Sequence, residues 1–295
     1  MLYPGFESRR ISSDGVEINL VCGGNRQGRP LLLLHGHPQT HVIWHKVAPR
    51  LARDFFLVAP DLRGYGDSAK PPVTDDHALY SKRAMAADEV AVMQALGYDK
   101  FLVVGHDRGA RVAHRLALDH ADKVEKMVLL DIAPTLAMYE QTSMEFARSY
   151  WHWFFMIQPA PFPETLLGRD PEFFIRKHMS RGPKGTAIFH PEAFEEYIRC
   201  AKLPGTVTAF CEDYRAAAGI DLEHDRVDRA AGRKVECPLR VFWGRDGAIE
   251  RCFKAMQIWP QYAKDVEGRA FPCGHYIPEE QPELLTEELL NFFRP

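Results

Sequence analysis

The segment Val104-Gly-His-Asp-Arg-Gly-Ala110 sets one aspartate between two glycines, where an apolar run gives way to a helical pattern. Gly-x-Asp-x-Gly after a strand and before a helix has the spacing of a nucleophile elbow, with aspartate where serine often stands. The flanking glycines are expected to permit a sharp, strained turn that lifts Asp107 above a sheet. A carboxylate is anionic at neutral pH without a helper base, so it suits attack on an alkyl carbon. Taken alone, Asp107 could also be a helix cap in an ordinary strand–turn–helix unit. An elbow needs an acid and then a histidine later in the chain. Asp131 follows the apolar run Met127-Val-Leu-Leu130, and His275 lies in Phe271-Pro-Cys-Gly-His-Tyr276, a turn before the last helical stretch. His35-Gly36-His37-Pro38 follows an early apolar run and is placed to form an oxyanion loop. Asp246, in Trp243-Gly-Arg-Asp-Gly247, is a competing acid. His106 is read as support for the strand end.

Two arginines, Arg108 and Arg111, fall in the first turn of the helix after Asp107. Cations are disfavoured at a helix N-terminus, by about 0.3–1 kcal/mol. Residues three apart share a helix face, so the two also repel. A bound anion resolves both problems, because guanidinium groups and the helix terminus all attract a carboxylate. A solvated pair or an internal salt bridge is the alternative. The same charges should keep Asp107 ionised.

These residues need a scaffold that brings distant positions together. Pro30-Leu-Leu-Leu-Leu34 and Phe55-Phe-Leu-Val-Ala59 are short unbroken apolar runs ending in turn residues, which read as buried strands. A helix over Lys82–Leu96, a strand at Phe101–Gly105, a helix over Arg108–His120 and a strand at Lys126–Leu130 follow. Strands alternating with helices predict a mostly parallel sheet covered on both faces. From about Ala137 to Asp225 the alternation stops, giving way to aromatic helical segments such as Phe146–Phe155, with turn clusters at Pro159–Pro163 and Arg181–Gly185. The strand pattern returns at Cys237–Gly244. The reading is an α/β core over 1–136 and 228–295, interrupted by a helical cap over 137–227.

Composition narrows the chemistry further. With 37 Lys and Arg against 40 Asp and Glu, the chain has no bulk positive charge to hold a phosphate backbone, so nucleic acid is a poor partner. No apolar run approaches the roughly 18 residues of a membrane span. The stretch after Met1 lacks the apolar core of a signal peptide, and a cytoplasmic location is expected. The six cysteines have no CxxC spacing and no neighbouring histidine cluster, so they read as free thiols rather than a metal site.

Taken together, the chain resembles the α/β-hydrolases, and within them the fluoroacetate dehalogenases. The resemblance runs nearly end to end. It is carried by His106-Asp-Arg-Gly109 with Arg111, Leu130-Asp-Ile132, Tyr150-Trp-His-Trp153, Cys211-Glu-Asp-Tyr-Arg215 and Gly274-His275. It implies hydrolysis of a haloacetate through an ester on Asp107, with His275 as the base and Asp131 as its orienting acid. Arg108 and Arg111 would hold the substrate carboxylate, and the backbone N–H groups of His37 and Arg108 would form the oxyanion hole. His152, Trp153 and Tyr214 would bind the departing halide, while Trp151 is read as core. No metal or organic cofactor is implied, and a homodimer is usual for the family. His37 departs from the pattern, which usually has Phe there; with His41 and His45 nearby, the pocket rim is expected to be more basic. An epoxide hydrolase is the alternative enzyme. It would need two lid tyrosines, one of them Tyr214 and the second from Tyr150 or Tyr197. A hydrolase-fold protein that binds without turnover is the third reading.

Overall fold

The computed structural model describes residues 2–180, 182 and 184–294. Arg181 and Pro183 of the expected turn cluster, Met1 and Pro295 lie outside the described residues.

Eight strands form one sheet: β1 (Glu7–Ser13), β2 (Val16–Gly24), β3 (Pro30–Leu34), β4 (Phe56–Pro60), β5 (Phe101–His106), β6 (Val124–Leu130), β7 (Leu239–Gly244) and β8 (Val266–Phe271). Their spatial order is β1-β2-β4-β3-β5-β6-β7-β8. The pairings β1–β2 and β2–β4 are antiparallel, and every pairing from β4 through β8 is parallel. The parallel strands β3 to β6 read as continuous apolar runs because both of their faces are buried. Leu31 and Leu33 pack to one side with Leu285, Leu289 and Phe293. Leu32 and Leu34 point to the other, with Met85, Ala113 and Leu116. Helices α1 (Lys82–Ala95) and α2 (Arg108–Asp119) supply that second layer.

Two parts of the sheet left little trace in the sequence. β1 and β2 form a hairpin around Asp14 and Gly15, whose φ values of 45° and 80° suit a tight two-residue turn. β1 is largely exposed and reads Glu-Ser-Arg-Arg-Ile-Ser-Ser, with no apolar run to find. β8 alternates half-buried and exposed positions, as an edge strand does.

Between β6 and β7 the chain is helical from Thr135 to Ala230, with no strand among the described residues. This insertion includes α3 (Trp151–Phe155), α4 (Pro171–Met179) and α5 (Thr206–Ala218). The five residues of α3 turn His152 and Trp153 inward and leave Trp151 43% exposed. Trp151 is therefore a surface residue rather than core, because His152 and Trp153 take the inward face of this short helix. A last helix, α6 (Pro282–Phe293), packs on the sheet. Among the described residues no helix is long and apolar enough to cross a membrane.

Candidate active site

Parallel strands place their loops at one edge of the sheet, and the two acids of the site leave from adjacent strand ends. Asp107 follows β5, with its N–H bonded to Leu130 O at 3.1 Å; Asp131 follows β6, with its N–H bonded to Phe242 O at 2.7 Å. Both have left-handed backbones, with φ of 49° at Asp107 and 54° at Asp131. Strain of this kind persists where the surroundings over-determine it. The strain thus falls on the aspartates themselves. The elbow glycines serve a different need, close approach: a Cβ on Gly109 would stand 2.3 Å from His35 O, and one on Gly105 2.6 Å from Ala110 Cα. Gly36 likewise admits Asp107, since a Cβ there would meet Asp107 Cβ at 2.4 Å.

Asp107, Asp131 and His275 converge. His275 Nδ1 lies 2.5 Å from Asp131 Oδ2, and Asp131 Oδ1 accepts the Gly244 N–H at 2.9 Å. Nε2 of His275 faces Asp107 Oδ2 at 3.8 Å. The other carboxylate oxygen, Oδ1, accepts the His37 N–H at 2.9 Å. No such bond from the Arg108 N–H to that carboxylate occurs among the described residues. His106 donates Nε2–H to His275 O at 2.8 Å, so it braces the histidine loop. Burial opposes a charge on Asp107, yet His275, His106, Arg111 and Arg108 outweigh it and hold its pKa well below the usual carboxylate range. Asp246 lies elsewhere, on the wall of a cavity of about 520 Å³ that Tyr150, Arg251, His275 and Tyr276 also line.

The arginines are not equivalent. Arg108, fully buried, gives Nε and Nη2 to Asp213 at 2.9 and 2.7 Å, and Nη2 also to Asp213 O at 2.8 Å. Asp213 in turn binds Lys82 and accepts Tyr65 O–H at 2.5 Å. The internal salt bridge is therefore real for Arg108, and only its Nη1 is without a partner among the described residues. Arg111 meets no carboxylate within ion-pair distance among the described residues. Its Nη1 binds Ala133 O and Thr135 Oγ1, at 3.0 and 2.9 Å, and its Nε has no partner there. Burial, and then the charge of Arg108, lowers the Arg111 pKa. The two guanidiniums lie over rings of the cap: Arg108 is 4.2 Å from the Tyr214 centroid and Arg111 4.6 Å from that of Trp153.

His152, Trp153 and Tyr214 come down from α3 and α5, all nearly or fully buried. Trp153 Nε1 has no partner among the described residues. The expected basic rim is built differently. His41 Nδ1 pairs with Asp61 at 2.8 Å, and His45 Nδ1 bonds Val42 O at 2.9 Å, so both serve the local fold. His37 does enter the site, beside Tyr214, and meets a histidine the sequence reading passed over, His178 of α4. Asp213 was also unassigned, although it lies inside the quoted segment Cys211-Glu-Asp-Tyr-Arg215. Of the tyrosines, Tyr150 packs on His152, whereas Tyr197 gives its O–H to Glu279 at 2.9 Å. Among the described residues no group of three or more His, Cys, Asp or Glu is arranged to hold a metal ion.

A strained acid after β5, a histidine after β8 and a helical insertion after β6 define a hydrolase architecture. Residues 29–282 match the alpha/beta hydrolase fold family, and the chain belongs to it. It is 43% identical to a fluoroacetate dehalogenase of Burkholderia sp over 292 residues, covering 99% of this chain and 95% of the relative. It is 34% identical to a soluble epoxide hydrolase of Corynebacterium sp. (strain C12), covering 96% and 95%. A crystal structure from Nostoc sp PCC 7120, ascribed to the alpha/beta hydrolases, superposes with a TM-score of 0.95 at 54% identity over 99% of both chains.

Proposed function

We propose that the protein is a haloacetate dehalogenase that converts fluoroacetate or chloroacetate and water to glycolate, halide and a proton. The observation that carries this reading is Arg111, a buried guanidinium beside the nucleophile with no carboxylate of its own among the described residues. Removing one partner of a buried ion pair costs about 3–5 kcal/mol, so a site built around an uncompensated cation favours an anionic ligand. The unpaired donors, Arg111 Nε and Arg108 Nη1, hold the substrate carboxylate.

The two oxygens of Asp107 divide the work. Oδ2, turned toward His275, attacks the α-carbon in line with the carbon–halogen bond, and the bonding pair leaves with the halide. Donors on His152, Trp153 and Tyr214 receive that charge as it develops. The product is a glycolyl ester whose carbonyl oxygen is Oδ1, already under the His37 N–H. His275, oriented by Asp131, takes a proton from water, and the hydroxide adds to the ester carbonyl of Asp107. Collapse releases glycolate and restores the carboxylate. The reading needs no metal and no organic cofactor. The six unpaired thiols suit a reducing compartment, so we place the enzyme in the cytoplasm.

Tyr150 and Tyr214 flank His152 at 5.4 and 5.6 Å, and two lid tyrosines are what an epoxide hydrolase would need. A neutral epoxide leaves Arg111 uncompensated, which is why the acid is preferred. Halide and diol release from fluoroacetate, chloroacetate, chloroacetamide and styrene oxide separates the readings. Halide from the two acids alone supports the proposal; diol alone, or equal rates on acid and amide, rejects it. We also propose a homodimer in which the exposed cap residues Trp151, Phe162, Leu166 and Phe173 are covered by a second copy. Sedimentation at a single monomer mass at every concentration would reject that part.

A further inference from the structure

Three imidazoles meet where the cap closes on the oxyanion loop. The rings of His37 and His152 are nearly parallel, 12° apart in plane, with centroids separated by 6.2 Å. His178 stands perpendicular to both, 5.1 Å from His37 and 4.5 Å from His152. All three are buried, in a wall completed by Phe174, Phe210 and Tyr214. Burying three polar rings among aromatic ones costs free energy that apolar rings of similar size would not. The arrangement also links two parts of the chemistry. The His37 amide holds the nucleophile's oxygen, and His152 belongs to the halide cradle.

A neutral imidazole offers one donor and one acceptor. Which nitrogen donates is set by what the other nitrogen touches. His178 has the closest ring contact with His152 and comes from a different helix, so it can fix both the orientation and the tautomer of that ring. We propose, on the dehalogenase reading above, that His178 is a positioning residue: it aims the His152 donor at the leaving halide and so makes the site prefer fluoride over chloride. Fluoride is the smaller and harder anion, so it gains more from a correctly aimed N–H. Chloride tolerates a looser and less polar cradle. His37 forms the opposite wall of the same stack and limits its volume.

The test is halide binding to the resting enzyme, read by quenching of Trp153 fluorescence with sodium fluoride and sodium chloride, and the Trp153→Phe variant as the blank. His178→Phe keeps an aromatic ring beside Phe174 and removes the polar edge. It should weaken fluoride binding about tenfold more than chloride binding, as expected for a lost hydrogen bond to a charged group. His178→Gln, which retains an N–H and an acceptor, should recover part of the difference. A purely structural role would weaken both halides in proportion. Proportional losses, or unchanged fluoride affinity in His178→Phe, would overturn the proposal. If His178→Phe does not fold, His178→Gln decides: a fluoride-to-chloride affinity ratio below that of the wild type supports the proposal, and a wild-type or larger one overturns it. The two readings fail separately. A wild type that binds fluoride through His178 but releases no halide from haloacetates would overturn the dehalogenase reading alone.

Discussion

The Nε2 atom of His275 lies 3.8 Å from Oδ2 of Asp107. That is too long for a hydrogen bond and leaves the carboxylate oxygen unshielded on the side that must meet an electrophile. It also puts the base next to the carbonyl carbon that water must attack later. One geometry therefore serves alkylation, in which His275 is a spectator, and hydrolysis, in which it is the base.

The acid assignment separates two variants. Asp131→Asn should slow ester hydrolysis on the order of 10⁴-fold, because the amide cannot stabilise a charged His275 in the required tautomer. Asp246→Asn, on the cavity wall, should change turnover by less than about threefold. Single-turnover mass spectrometry should find accumulated ester in the first variant only. Ester accumulating in Asp246→Asn instead would reverse the assignment.

Substrate charge should be read mainly by Arg111. Arg111→Gln removes the cation and leaves a donor, and should lower kcat/KM for chloroacetate by about 3 kcal/mol, roughly a hundredfold or more. Chloroacetamide should be a poor substrate of the wild type and lose little in the variant. A similar loss on both substrates would assign Arg111 to packing.

The leaving-group site should discriminate between halides. Trp153→Phe keeps a ring over Arg111 and deletes the indole N–H. Loss of one such donor costs about 3 kcal/mol at the transition state. Fluoride release should fall far more than chloride release, measured by ion-selective electrodes on the two acids. Equal falls would leave Trp153 as a packing residue.

Much of this was legible in the sequence, for identifiable reasons. Asp107 and Asp131 each follow a buried strand, and buried parallel strands announce themselves as apolar runs, whereas His275 follows the half-buried edge strand β8 and showed itself through the turn Pro272-Cys-Gly274 before it. Their order then carried the chemistry. Spacing alone could not separate Arg108 from Arg111, because the counter-charge of Arg108 is 105 residues away on a cap helix and no local pattern reports it. Its signal was the acid in Cys211-Glu-Asp-Tyr-Arg215, noticed as a motif but not as a counter-charge. His178 sits in Arg176-Lys-His-Met179, which reads as a solvated basic helix end, yet it is 4% exposed because α4 closes over His37. His41 and His45 look equivalent to His37 by proximity along the chain, but Asp61 and the Val42 carbonyl claim them.

The Asp213 cluster makes a stability prediction with a definite sign. Burial alone would raise the Asp213 pKa, but Arg108 and Lys82 hold it well below the usual range. Such a group contributes stability that is complete above its unfolded value of about 3.9 and is lost as pH falls through the folded value. Asp213→Asn leaves the buried Arg108 with a neutral partner and Lys82 with Asp221 alone, at 3.8 Å, and should cost about 3–5 kcal/mol in urea unfolding at pH 7. Between about pH 5 and pH 2 the wild type should lose stability more steeply than the variant. Parallel curves would show that Asp213 is not the titrating group.

The most direct measurement of the central claim is intact mass and peptide mapping of His275→Ala after incubation with chloroacetate and, separately, fluoroacetate. With the base removed and the nucleophile kept, the enzyme should release one halide per site and then stop, with a glycolyl ester mapped to Asp107. Unmodified Asp107 with continued halide release, or a glycolyl group on any other residue, would contradict the covalent account.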